Sequence, residues 1–159
     1  MQLDNLFNQL KNTTDHETSK KIESEIWNLW ATHPTEKSLT TLLADGSLYM
    51  SQNKLETAYD TFTKTIELDP NWAEAWNKRA TVLYLLGNFE DSQKDIDKVL
   101  KLESRHFGAL AGQGLVNIQL KNYEKAISSY EKALKIYPSM KSPRIMIEEI
   151  KKIIKKDSI

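Results

Sequence analysis

Three histidines, His16, His33 and His106, are the side chains best suited to proton transfer or metal binding near neutral pH, and they lie far apart in the chain. No two share one helix face at metal-ligand spacing, and no His-Glu-x-x-His run occurs. The chain contains no cysteine, which excludes disulfides, thiolate metal sites and cysteine nucleophiles without fixing the redox compartment. Asp95/Asp97 and Glu148/Glu149 are next-adjacent and adjacent acids, most simply solvated faces. Gly108-x-x-x-Gly112-x-Gly114 is rich in glycine, but it sits within a helical pattern. A phosphate cradle needs such glycines in a loop after a strand. No catalytic residue, metal or cofactor is expected, and nothing in these spacings supports an enzyme.

What remains is recognition chemistry, and the elements that must carry it are helical. From Ala73 to His106 the chain reads as two amphipathic helices joined by a tight turn at Gly87-Asn88. Trp76, Ala80, Leu83 and Tyr84 share one face of the first. Phe89, Ser92, Ile96, Val99, Leu100 and Leu102 form a broader stripe on the second. Neither helix can bury its apolar face alone. A step of 34 residues supplies neighbours: Leu42 leads to Trp76 and Leu110, and Gly46 to Ala80 and Gly114. Ala58 leads to Ser92 and Ala126, Phe62 to Ile96 and Tyr130, and Ile66 to Leu100 and Leu134. Leu68 leads to Leu102 and Ile136, while Pro70 and Pro138 lie two periods apart. Small residues at Gly46, Ala80 and Gly114 and at Ala58, Ser92 and Ala126 let paired backbones approach closely, and each proline marks the end of a unit.

This pattern resembles the tetratricopeptide repeat over about two-thirds of the chain: a large residue at position 4, small ones at 8, 20 and 27, an aromatic near 24 and proline at 32. Asp45 and Gln113 stand where that family usually has leucine, Ser104 where it has proline, and Thr65 where it has alanine. The resemblance implies an all-α fold, an α-solenoid in which three hairpins (39–72, 73–106 and 107–140) form a right-handed superhelix. It also implies a working surface on the concave groove lined by the first helix of each hairpin. Leu43 and Ser47 would face that groove from the first repeat. Asn77, Lys78, Thr81 and Tyr84 would face it from the second, and Gly108, Ala111, Gly112, Leu115 and Ile118 from the third.

Asn77 and Lys78 suit a carboxylate or a carbonyl, although Lys78 also stands four residues from Glu74 on one helix, an ordinary ion-pair spacing. Leu115 and Ile118 would form an apolar floor. Glycine inside a helix costs about 1 kcal/mol against alanine, so Gly108 and Gly112 either clear space for a partner or are merely tolerated. Family members that grip the carboxylate tail of heat-shock chaperones do so with Lys, Asn and Arg. At the corresponding positions this sequence has Leu43, Ser47, Lys78, Gly108 and Gly112, so that clamp is absent.

Outside the repeats, Leu3, Leu6, Phe7 and Leu10 mark a short amphipathic helix, and Thr14-Asp15-His16-Glu17 has the form of a capping box with Thr14 as the cap. The helix that follows carries Ile22, Ile26, Leu29 and Trp30, with Trp27 beside them. Residues 1–38 are thus expected to be a two-helix cap over the first repeat, with the Trp pair packing inward rather than anchoring a partner. Ser142-Pro143 reads as an N-cap and first helical residue. Residues 141–159 then form a closing helix with Met146, Ile150, Ile153 and Ile154 inward and Lys151, Lys152, Lys155 and Lys156 toward its end.

Apolar residues at 40% and charged residues at 28% are ordinary for a folded soluble chain. The net charge of zero hides an asymmetry. Residues 107–159 carry ten Lys/Arg against five acids, and the remainder carries the opposite excess. No apolar run reaches the about 18 residues of a membrane span, and the N-terminus lacks the basic and apolar regions of a signal peptide. The compartment stays open between cytoplasm and, for a trimmed chain, periplasm. The expected function is a non-catalytic scaffold that holds a partner peptide or helix in the groove. The alternatives are a basic terminal helix docking on an anionic surface, or self-association through that helix. No nucleic acid is expected, because the lysine run lacks interleaved aromatics. A membrane is disfavoured, and the chain is expected to be a monomer or weak homodimer.

Overall fold

The computed structural model describes residues 2–158. Among these the regular structure is all α-helical: α1 (Gln2–Asn12), α2 (His16–Trp30), α3 (Lys37–Ser51), α4 (Leu55–Leu68), α5 (Ala73–Leu85), α6 (Phe89–Leu102), α7 (Phe107–Gln119), α8 (Tyr123–Ile136) and α9 (Lys141–Asp157). The fold belongs to the α-solenoid class, and α3/α4, α5/α6 and α7/α8 are the three helical hairpins. The chain divides into two compact units: residues 27–104, and residues 1–26 together with 105–159.

One turn closes all three hairpins. Asn53, Gly87 and Lys121, spaced 34 residues apart, adopt left-handed backbone with φ of 58°, 81° and 60°. Each follows the helix cap, and the next amide reaches back to the helix: Lys54 N to Tyr49 O (2.9 Å), Asn88 N to Leu83 O (2.8 Å) and Asn122 N to Asn117 O (2.8 Å). This Schellman arrangement satisfies carbonyls that the helix end leaves open. Glycine tolerates it without strain, asparagine nearly so, and lysine least well.

Within each hairpin the small residue at position 8 opposes the residue sixteen further on. A Cβ built on Gly46 would lie 2.5 Å from the Phe62 ring, and one on Gly114 would lie 2.4 Å from the Tyr130 ring. In the middle hairpin Ala80 stands at the same position with Ile96 sixteen residues on, a larger first residue with a slimmer second. The positions just before these carry a polar pair in two hairpins. Arg79 donates to both Asp95 oxygens at 2.8 and 2.9 Å, and Ser129 Oγ donates to Gln113 Oε1 at 2.8 Å. The departure at Gln113 is therefore matched across its hairpin rather than tolerated singly.

In residues 27–104 the core gathers Leu39 and Leu43 from α3, Ala58, Phe62 and Ile66 from α4, Trp72, and Ala75 and Val82 from α5. Trp30 is buried, and its carbonyl accepts from Trp72 Nε1 at 2.9 Å, which agrees with inward packing of that tryptophan. In the other unit α9 packs on α8 through Ile147 and Ile150 against Ala126 and Tyr130, with Met146 and Ile154 alongside. The isoleucine face of α9 is thus taken up inside the chain. Self-association through that face would require α9 to leave α8.

Within their own unit, helix α1 and the first part of α2 pack with the third hairpin. Leu6, Phe7 and Leu10 are buried. Phe7 meets Phe107 edge-on with centroids 6.4 Å apart, and Phe107 in turn meets Tyr137 at 5.3 Å. The Arg105 guanidinium stacks 4.4 Å from the Phe7 centroid and reaches Asp4 at 2.6 Å, and Ser139 bonds Ser19 at 2.7 Å. An aromatic ladder and an ion pair supply this affinity, and neither has a periodic signature in the sequence.

Two helix starts also move. The cap of α2 is Asp15 rather than Thr14, because Asp15 accepts from the amide of Thr18 at 3.0 Å. Helix α9 begins at Lys141 after Met140, which places Pro143 in its first turn and buried rather than at the first position.

Candidate functional site

The first helices of the hairpins, α3, α5 and α7, carry all eleven residues assigned to a binding groove, and packing divides that set. In residues 27–104, Leu43 is only 2% exposed and belongs to the core, so it is no contact residue. Helix α3 turns Leu39 and Leu43, four residues apart, onto the same inward stripe. Asn77 is also buried, and its Nδ2 donates to Glu74 Oε1 at 2.7 Å. Glu74 therefore has Asn77 as a partner, three residues on, instead of the Lys78 pairing that spacing suggested. Ser47, Lys78 and Tyr84 are half-buried and Thr81 is exposed. The Ser47 and Thr81 hydroxyls donate to the carbonyls of Leu43 (3.0 Å) and Asn77 (3.1 Å). Tyr84 lies against Phe89 with centroids 5.4 Å apart. The sequence did not single out Leu48, which is 55% exposed on α3; Leu85 on α5 is 53% exposed.

On α7, Ala111 and Ile118 turn toward the α8/α9 core formed by Ala126, Tyr130, Ile147 and Ile150. Ile118 is half-buried and gives part of its side chain to that core. Gly108 and Gly112 are half-buried, and Leu115, at 37% exposed, keeps an apolar side chain in solvent. Ser47, Lys78, Thr81 and Tyr84 thus remain accessible in one unit, and Gly108, Gly112 and Leu115 in the other.

Two of the three histidines, His33 and His106, are structural. His106 is fully buried, and its Nδ1 accepts from the Ala109 amide at 3.0 Å, capping α7. His33 Nδ1 accepts from the amides of Glu36 (2.9 Å) and Thr35 (3.2 Å), so its proton sits on Nε2, which lies 2.7 Å from Asp69. That hydrogen bond from His33 holds the Asp69 carboxyl below the usual aspartate value of 3.8. Burial, with Glu23 beside it, pushes the Tyr137 phenol up to about 12. No cluster of three or more potential metal ligands occurs among the described residues. No helix of the described residues is long and apolar enough to cross a membrane.

A second surface feature lies in residues 27–104 and has no periodic signature. The Arg79 guanidinium lies over the Tyr59 and Trp76 rings at 5.6 and 5.1 Å, and Lys98 Nζ lies over the Trp76 ring at 5.8 Å. Trp76 Nε1 donates to Pro70 O at 2.8 Å. Two adjoining cavities of about 380 and 360 Å³ share Tyr59, Leu83 and Asp91 in their walls.

Comparison with known proteins gives a consistent result. Models described as tetratricopeptide repeat match residues 42–71 and 78–141. A TPR repeat-containing protein of Rhizobium etli is 34% identical over 137 residues, covering 86% of this chain and 67% of that protein. Among solved structures, the first TPR domain of Spaghetti (RPAP3), bound to the HSP90 peptide SRMEEVD, is similar with TM-score 0.71 at 23% identity, over 73% of this chain and 92% of that one. The first TPR domain of human RPAP3 gives TM-score 0.73 at 22% identity, over 76% and 94%.

Proposed function

Because the chain belongs to the tetratricopeptide-repeat family, we propose that it is a non-catalytic interaction module that binds a peptide or helix of a partner protein through the outward sides of its first helices. Ser47, Lys78, Thr81 and Tyr84 would make the contacts on α3 and α5, and Gly108, Gly112 and Leu115 those on α7. Leu115 carries the reading. It holds an apolar side chain in water on a helix that buries Phe107, Ala109, Leu110 and Val116, and two half-buried glycines stand one and two turns before it. A rigid helix face of this kind binds a segment without first paying to order itself.

The partner is not a chaperone tail held by its terminal carboxylate. The Spaghetti domain is seen with such a peptide, but this chain offers Leu43, Ser47, Gly108 and Gly112 at four of the five clamp positions, and Leu43 is buried. The test is selection of peptides from a displayed library on the wild-type protein, followed by titration against Leu115→Glu and Lys78→Glu. Burying the leucine is worth about tenfold or more in affinity. Peptides that bind L115E as tightly as wild type would place the binding face elsewhere.

A further inference from the structure

We propose that the cleft on residues 27–104 receives the outer edge of α9 from a second copy of this chain, so that copies join head to tail. The cleft is electrically polar. Its floor is Tyr59 and Leu83, and one end is walled by Glu56 and Asp60; the other carries Lys94 and Lys98 beside the Arg79–Asp95 pair, with Asp91 shared by both ends and 3.5 Å from Lys94. Residues 27–104 as a whole hold twelve acidic side chains against eight Lys/Arg, while residues 107–159 hold ten Lys/Arg against five acids.

Helix α9 presents the matching order. Its inner face is spent on α8 through Ile147 and Ile150. On the opposite side stand Lys141, Ile145 and Glu149, four residues apart and therefore in one row, about 6 Å from one to the next; Glu149 holds an exposed pair with Lys152 at 3.2 Å that it would exchange for the cleft lysines. Ile145 is 60% exposed, the most exposed large apolar side chain among the described residues. Set on the Tyr59–Leu83 floor, it would leave water while Lys141 meets Glu56 and Asp60, and Glu149 meets Lys94 and Lys98. Lys141 and Glu149 then each face the end of opposite excess charge, an arrangement that favours one orientation over the reverse. The two surfaces differ, so the contact is heterologous and each added copy offers a fresh cleft and a fresh α9.

The experiment is sedimentation of the intact chain from about 10 µM to about 1 mM, the range in which a small polar interface associates, at about 25 and about 300 mM NaCl. The expected result is mass that grows with concentration beyond a dimer, with association weakened at least about tenfold by the added salt. Two surface variants, E56K/D60K in the cleft and K141E/I145E on α9, should each be monomeric, with circular dichroism reporting an unchanged fold. Mixed, they should form a one-to-one heterodimer that grows no further, since each retains one intact surface. A wild type that stays monomeric at low salt overturns the proposal, as does a closed dimer. Loss of association in the α9 variant alone overturns it too.

Discussion

Substituting Gly46 with alanine tests how closely the hairpins are fitted. Alanine is the better helix former by about 1 kcal/mol, so propensity alone predicts a gain. The added Cβ, however, would sit 2.5, 2.8 and 2.9 Å from three carbons of the Phe62 ring, which is itself fully buried. Relief to an ordinary contact requires the ring to retreat by about 1 Å inside a close-packed core, and overpacking of that kind costs about 1–3 kcal/mol. The clash should win, leaving Gly46→Ala about 1–2 kcal/mol less stable than wild type. The middle hairpin supplies the remedy, since it pairs Ala80 with Ile96. Phe62→Ile alone should also destabilise, by about 1–2 kcal/mol through the space it empties. Combined with Gly46→Ala it should cost less than the sum of the two, with a favourable coupling of about 1 kcal/mol or more. Urea denaturation followed by far-ultraviolet circular dichroism measures all four corners of the cycle. A neutral or stabilising Gly46→Ala, or strict additivity in the double variant, would refute the close-contact account.

The shared hairpin turn predicts that Lys121→Gly stabilises by up to about 1 kcal/mol and Gly87→Ala destabilises by a similar amount, both readable as shifts in denaturation midpoint. Two of the shifted groups give testable pH dependences. Asp69 is held below 3.8 in the fold, so its bond with His33 contributes stability above that value, which is lost as the pH falls through the folded pKa; Asp69→Asn should flatten part of the acid limb. Tyr137 is raised in the fold, so its contribution is complete below about 10 and is lost as the pH rises through about 12. Absorbance titration should show a late tyrosine step that Tyr137→Phe removes.

Where the sequence was legible, it was legible for local reasons. The left-handed residues Asn53, Gly87 and Lys121 and the glycines opposite Phe62 and Tyr130 recur at the 34-residue period, because each hairpin solves the same problem of closing a turn and nesting two backbones. Binding-site assignment was weaker. Position within a repeat says which way a helix face points on average, but not whether a neighbour covers it. Leu43 is buried in the core, Ile118 is half-covered by α8 and α9, and Asn77 is committed to Glu74. Thr81 and Leu115, at one repeat position, stay in solvent.

The sequence by itself determined the helix count of each repeat, the hairpin turns, the residues that let paired helices approach, and the absence of thiol chemistry. Those features depend on side chains within one or two helical turns of each other, or on a fixed spacing between paired helices, so they are written as a period. Only the tertiary structure decided that α1 packs by Phe7 on Phe107, that Arg79 lies over the Tyr59 and Trp76 rings, and that α9 keeps Ile145 outside. The first of these joins residues a hundred positions apart through an edge-on ring contact. The second stacks a cation across two hairpins. Such contacts are chosen by the shape and charge of surfaces that exist only once the hairpins have formed, and no local pattern in the chain records them.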